Sequence, residues 1–168
     1  MIWATSMIAC GDADGAVTGN TRRFGASLDK IKQVVDVRDG EIMFGLNMVV
    51  HKGKTIFVGD TSVHEYPTSE QMAKIAISTA RVVRLFGFDP KVAFVSHSTF
   101  GQPLTSRTKH IRNAVDILKE KKVDFEFDGD MQPDVALNED YKNLYPFSKI
   151  VGNANILIMP GQHIAAIS

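Results

Sequence analysis

The residues of this sequence best suited to chemistry form three short polar clusters, each directly after an apolar run. They are Ser96-His97-Ser98-Thr99, Asp128-Gly129-Asp130 and Pro160-Gly161-Gln162-His163. Hydroxyls and backbone N–H groups can hold an anionic oxygen, and carboxylates or an imidazole can move a proton. If the preceding strands are parallel, the clusters share one edge of a sheet, where open α/β sheets bind ligands.

Each cluster also has a structural interpretation. The hydroxyls after Val95 can cap the helix that follows, and Asp128 and Asp130 can do the same for the next helix. His97 is either a base or, more commonly for a histidine after a strand, a loop residue that makes hydrogen bonds. The catalytic residues therefore stay unassigned at this point.

Composition excludes several classes of function. The chain has 168 residues, enough for one domain with a core, and 19 basic residues balance 19 acidic ones. We therefore expect no nucleic-acid partner and no membrane partner. The single cysteine, Cys10, excludes an internal disulfide and a cysteine-based zinc site, and the five histidines are dispersed. A cytoplasmic protein without a metal site is the expectation.

The hydrophobic pattern predicts alternating strands and helices. The predicted strands are Ala16–Thr18, Ile42–Val50, Thr55–Val58, Val92–Val95, Val123–Phe127 and Asn155–Met159. The predicted helices are Phe24–Val37, a long one from Pro67 to Phe86, Ser106–Lys122, and a less regular stretch to Tyr145. The short link between the second and third strands predicts an antiparallel hairpin within an otherwise parallel sheet.

The long helix carries two apolar stripes. Met72, Ile75 and their neighbours form one, and Ala73, Ile77 and Ala80 form the other. A helix that is apolar on two sides must be covered on both, by the sheet and by a second element or another subunit. From this pattern we expect a homo-oligomer.

The order of motifs along the chain resembles the phosphate acetyl/butyryltransferase family. The matching segments are Gly11-Asp12-Ala13-Asp14-Gly15, Asp60 with Pro67-Thr68-Ser69-Glu70-Gln71, Ser96-His97-Ser98-Thr99-Phe100-Gly101, Asp128-Gly129-Asp130-Met131-Gln132, and Gly152-Asn153-Ala154-Asn155 with Pro160. The loop at Phe100 and the segment Tyr145-Pro146-Phe147-Ser148 resemble more closely the transferase-like C-terminal domain of the large bacterial NADP-dependent malic enzymes.

The resemblance implies a fold and a ligand. The fold is an α/β sheet, open and mixed but mostly parallel, with helices on both faces, of the isocitrate/isopropylmalate dehydrogenase-like, phosphotransacetylase type. The ligand is acetyl-CoA or a related acyl-CoA. The residues at the family's cleft motifs are Ser96, Ser98, Thr99, Gly101, Asp128, Gly129 and Gln132. Residues 1–168 are expected to form one such domain, a C-terminal piece of a malic enzyme that is truncated at both ends.

Departures from the family limit the expected activity. Stand-alone transferases carry an arginine in the region where Asp29 or Lys30 stands, and a Ser-Arg pair and an aspartate beyond the last residue of this chain. Without these groups, we expect no acyl transfer to phosphate from the chain alone and no cofactor within it. NADP and a divalent metal are expected in the malic enzyme domain of the parent protein. An active phosphate acyltransferase is the main alternative, and a dehydrogenase of the isocitrate type is a weaker one.

Overall fold

The structure is a computed structural model that describes residues 1–167, without the side chains of Lys142, Ala166 and Ile167. The chain divides into two compact units, Met1–Gly40 and Glu41–Ser168. None of the helices in this described part is long and apolar enough to cross a membrane.

The first unit contains two short helices, α1 (Ile2–Cys10) and α2 (Phe24–Lys32). The sequence pattern did not predict α1, because its N-terminal residue makes no side-chain cap and it has no polar face. The predicted strand Ala16–Thr18 was wrong, since no strand forms there. The helix predicted to reach Val37 ends at Lys32, before the β-branched valines that follow, which are weaker helix formers.

The described part of the second unit contains a five-stranded sheet, four α-helices and one 3-10 helix. The strands are β1 (Leu46–His51), β2 (Lys54–Gly59), β3 (Lys91–Val95), β4 (Glu126–Met131) and β5 (Ile156–Ile158). The α-helices are α3 (Ser69–Leu85), α4 (Ser106–Lys121), α5 (Pro133–Leu137) and α6 (Gln162–Ile167), and a 3-10 helix spans Glu139–Leu144.

The strand order β1-β2-β5-β3-β4 confirms the predicted mixed sheet. β1 and β2 form the antiparallel hairpin, while β5 pairs in parallel with both β2 and β3, and β3 pairs in parallel with β4. The carboxyl ends of four strands therefore lie at one edge, as a shared site requires. β4 runs through Asp128-Gly129-Asp130 to Met131, so that this cluster lies within a strand and not after one.

Helices cover both faces of the sheet. On one face, α3 and α4 pack against residues such as Phe57, Phe94 and Ile156. On the other face, α5 and the segment around Ile150 pack against Val95 and Leu157. Both helices of the first layer begin with a capping box, Thr68 with Gln71 in α3 and Thr105 with Thr108 in α4.

The second apolar stripe of α3 is covered within the chain. Ala73 and Ala80 are buried in the same core cluster as Ile111, Ala114 and other residues of α4. No other subunit is therefore needed to cover this stripe. The homo-oligomer itself stays a prediction.

Candidate functional site

The loop from β3 to α4 is organised around Asp130. This carboxylate is fully buried, accepts a hydrogen bond from the Ser98 hydroxyl, and accepts the Gly101 N–H at 3.1 Å. The Asp130 carbonyl accepts the Phe100 N–H at 2.6 Å, and Ser96 Oγ lies 3.2 Å from Ser98 Oγ. The charge thus holds the loop in one shape, because a buried carboxylate must find donors nearby.

Gln132 ties the same loop to the start of α5. Its backbone N–H donates to Thr99 Oγ1 at 3.3 Å, and its side-chain amide donates to the His97 carbonyl at 2.9 Å. The structure therefore brings together five of the seven predicted site residues, Ser96, Ser98, Thr99, Gly101 and Gln132.

Asp128 and Gly129 lie on a different side. Both Asp128 carboxylate oxygens accept backbone N–H groups, from Gly129 at 2.9 Å and from Lys149 at 2.7 Å. With Gly129, Asp128 lines a separate cavity between α4 and β4, which we call the α4–β4 cavity. The single cleft expected from sequence is divided, because β3 and the Asp130 loop stand between its two halves.

A second cavity, which we call the strand-edge cavity, opens at the carboxyl ends of β3 and β5 and has a volume of about 320 Å³. Its polar lining comes from Ser96, His97 and Arg107. The rest of the lining is apolar and consists of Val95, Ile111, Pro133, Met159, Pro160 and Ile164. An apolar pocket with a few convergent polar groups is the usual form of a small-molecule site.

Arg107 lies between two cavities. It stands in the first turn of α4, and a neighbouring cavity of about 300 Å³ shares Arg107, Ile111 and Pro160 with the strand-edge cavity. Within the described residues its guanidinium makes no ion pair. A free guanidinium beside the positive end of a helix is suited to an anionic group such as a phosphate.

The third polar cluster contributes through its backbone and Pro160. Gly161 packs closely against the loop that follows β2, and a Cβ added at Gly161 would lie 2.7 Å from the Glu65 carbonyl oxygen. His163 is exposed and its Nε2 lies 3.5 Å from Glu65 Oε1. Only Pro160 of this cluster lines the strand-edge cavity.

The family of the chain follows from comparison with known proteins. The family described as "Phosphate acetyl/butaryl transferase" matches residues 1–168. The chain belongs to this family. Among curated relatives, an NADP-dependent malic enzyme of Rhizobium meliloti (strain 1021) is 44% identical over 99% of this chain, which spans only 22% of that relative. A phosphate acetyltransferase of Haemophilus influenzae is 30% identical over 95% of the chain and 23% of the relative.

Solved structures of phosphotransacetylases have the same fold. The EutD phosphotransacetylase from Staphylococcus aureus superposes with a TM-score of 0.86 at 26% identity, and one from Streptococcus pyogenes with 0.88 at 25% identity. Each comparison covers 99% of this chain and 52% of the solved chain. The expected phosphotransacetylase-type fold is thereby confirmed.

The sequence did not predict the roles that two charged residues have in the structure. Arg107 places a cation in the cleft, where none was expected, and only the position of α4 shows it. The second is Asp60 at the end of β2, which is 1% exposed and accepts the N–H groups of Gly45, Ser62, Val63 and His64 and the His64 ring at 2.6 Å.

The ionisation of Asp60 follows from these contacts. Burial raises the pKa of Asp60, but the hydrogen bonds from Ser62, Gly45, His64 and Val63 together outweigh it and hold the pKa below its usual value. Asp60 is therefore a charged anchor for the turn after β2. Among the described residues, no group of three or more His, Cys, Asp or Glu side chains is placed to hold a metal ion.

Proposed function

We propose that this chain is the acyl-CoA-responsive regulatory and oligomerisation domain of an NADP-dependent malic enzyme, a cytoplasmic enzyme that converts malate to pyruvate by oxidative decarboxylation. The supporting observation is the similarity to such a malic enzyme over 99% of this chain, together with its restriction to 22% of the relative. The remainder of such a protein would hold NADP and the divalent metal.

The strand-edge cavity is the proposed acyl-CoA site. Its apolar lining suits an acyl group, and Ser96 and His97 offer polar groups to the thioester carbonyl. Arg107 suits a phosphate of the CoA, and the neighbouring cavity that shares Arg107 gives an elongated ligand room to continue. In this proposal, Ser98, Thr99, Gly101 and Gln132 shape the loop that forms the wall.

Binding at this site regulates only if it distinguishes two states of the whole protein. A ligand shifts an equilibrium by the difference in its affinity for the two states, and by nothing else. By linkage, if acyl-CoA changes the affinity for malate or NADP by some factor, malate or NADP must change the affinity for acyl-CoA by the same factor.

An active acyltransferase is the second candidate, favoured by one observation. Transfer from acyl-CoA to phosphate forms a C–O bond to the phosphate oxygen and breaks the C–S bond, and the CoA thiolate leaves. A cation close to the carbonyl and phosphate would stabilise the negative charge that develops. Arg107 is such a cation, and it lines the same cavity as Ser96 and His97.

The test uses the full-length protein with two assays run in parallel. One follows malate-dependent NADP reduction with and without acetyl-CoA, and the other follows acetyl phosphate formation from acetyl-CoA and inorganic phosphate. We expect acetyl-CoA to change the kcat or the KM for malate without being consumed. Acetyl phosphate formation with unchanged malate kinetics would reject regulation and establish the transferase.

A further inference from the structure

The α4–β4 cavity is separate from the proposed acyl-CoA site and has its own chemistry. It has a volume of about 290 Å³ and lies between α4, β4 and the segment before Ile150. Its lining includes three basic side chains, Arg112, Lys119 and Lys149, and two aromatic ones, Phe100 and Phe147. This combination differs from the largely apolar lining of the strand-edge cavity.

Two of the three cations remain available to a ligand. Lys119 is paired with Asp116, with Nζ and Oδ1 2.6 Å apart. In the part of the chain that the structure describes, the side chains of Arg112 and Lys149 make neither an ion pair nor a hydrogen bond. The other acid in the lining, Asp128, is only 8% exposed, and each of its oxygens already accepts a backbone N–H.

The Arg112 guanidinium lies close to Gly101. A Cβ on Gly101 would lie 2.6 Å from Arg112 Nη1, so the guanidinium occupies the space that a side chain at position 101 would take. Gly101 also has a φ of 83°, which favours glycine over other residues. The guanidinium thus lies directly beside the loop that Asp130 holds.

The aromatic wall exposes a ring beside these cations. Phe147 is 62% exposed, and its ring packs edge-on against Phe100 with the centroids 4.8 Å apart. Phe100 is fixed by the hydrogen bond from its N–H to the Asp130 carbonyl. An exposed ring backed by a second one is a surface on which a nucleobase can stack.

We propose that the α4–β4 cavity binds a nucleoside that carries a phosphomonoester, with the base on Phe147 and the phosphate between Arg112 and Lys149. A phosphate dianion matches the two available cations in charge, and Arg can bind it through two parallel hydrogen bonds. A free nucleoside monophosphate and the 3′-phosphoadenosine end of a CoA share this chemistry.

The test titrates AMP into the full-length protein by calorimetry, and variants of the cavity lining separate binding here from binding at any dinucleotide site elsewhere. Arg112→Gln and Phe147→Ala are the test variants. Lys109→Gln, an exposed cation on α4 outside the cavity lining, and Leu144→Ala, which is 67% exposed, are their controls. Arg112→Gln is expected to lower the affinity for AMP about tenfold or more, because it removes a charge-assisted hydrogen bond.

Smaller probes and folding checks complete the design. Inorganic phosphate alone and adenosine alone should each bind more weakly than AMP. Arg112→Gln should lower the affinity for phosphate and leave the affinity for adenosine unchanged. The thermal unfolding midpoint of each variant confirms that it is folded. The proposal is overturned if neither AMP nor CoA binds to the wild type, or if Arg112→Gln leaves the affinities for both unchanged.

Titrations of CoA and dephospho-CoA, which differ only in the 3′-phosphate, identify the source of the ligand. If Arg112→Gln lowers the affinity for CoA but leaves the affinity for dephospho-CoA unchanged, the cavity binds the 3′-phosphoadenosine end of a CoA. If the substitution lowers the affinity for AMP alone, the ligand is a free nucleotide. Arg107 lines the strand-edge cavity and its neighbour but not the α4–β4 cavity, so Arg107→Ala makes failure of the acyl-CoA proposal distinguishable from failure of this one.

Discussion

At the scale of single residues, the carboxylates of this site position loops instead of facing a substrate. Asp130 holds Ser98 and Gly101, and Asp128 holds the backbone of Lys149. The hypothesis that Asp128 and Asp130 work as an acid/base pair therefore has no support in the contacts they make. Both are buried acceptors whose oxygens accept hydrogen bonds from donors of their own chain.

Asp60 gives a pH-dependent prediction. Because its folded pKa lies below the unfolded value, its contribution to stability is complete above about pH 4 and is lost as the pH falls through the folded pKa. Asp60→Asn should lower the free energy of unfolding by about 1–3 kcal/mol at pH 7.

Urea unfolding at several pH values measures this effect. The difference between wild type and Asp60→Asn should shrink toward pH 2. The matched control is Asp116→Asn, an exposed partner of Lys119 whose loss should cost less than about 1 kcal/mol. A difference that is constant from pH 7 to pH 2 would contradict the assigned role.

The sequence predicted the polar loop residues but not the cations. Ser96 to Gly101 could be placed because they follow a strongly apolar strand, and strand ends form ligand sites. Arg107 and Arg112 stand among other charged residues on the polar side of a helix, so nothing in the pattern separates them from solvated side chains. Only the position of α4 beside β3 and β4 shows that they line cavities.

At the scale of elements, prediction succeeded where local signals agreed. The capping boxes set the starts of α3 and α4, and the two-residue link Lys52-Gly53 set the β1–β2 hairpin. It failed between α1 and α2, where the predicted strand Ala16–Thr18 has no strand to pair with.

Gly129 is the position where β4 depends most on one residue type. Its φ is 154°, and an added Cβ would lie 2.7 Å from Phe94 Cβ and 2.8 Å from the Phe94 carbonyl oxygen on β3. Gly129→Ala should therefore reduce the free energy of unfolding by about 2–4 kcal/mol, through backbone strain and overpacking.

Thermal and urea unfolding check this expectation against Gly15→Ala. Gly15 has no atom within 4 Å of an added Cβ, and the control should change stability by less than about 0.5 kcal/mol. Equal stability of the two variants would show that β3 and β4 can separate without cost, which the packing does not allow.

At the scale of the whole molecule, the parallel sheet is what makes a site possible. The predicted mostly parallel sheet is confirmed: β3 pairs in parallel with β4 and β5, which brings distant segments of the chain to one edge. The division of that edge into two cavities could not be predicted, because it depends on the buried Asp130 and the path of the loop that it holds.

Self-association remains a prediction for the full-length protein. Met48, Val49 and Val50 on the edge strand β1 are 52%, 49% and 64% exposed. An edge strand with exposed apolar residues is a surface for pairing with another chain. Size-exclusion chromatography with light scattering at micromolar concentration should show a dimer or a larger assembly, and Val50→Lys should weaken it. A strict monomer would contradict this expectation.

The central claim is that the strand-edge cavity binds acyl-CoA, and calorimetry of acetyl-CoA against the full-length protein tests it most directly. The variants are Arg107→Ala and, as the control, Lys109→Ala, an exposed cation two residues further along α4 that lines neither cavity. We predict binding to the wild type and the control, and affinity about tenfold lower in Arg107→Ala. Equal affinity in all three proteins, or no binding to any, would contradict the claim.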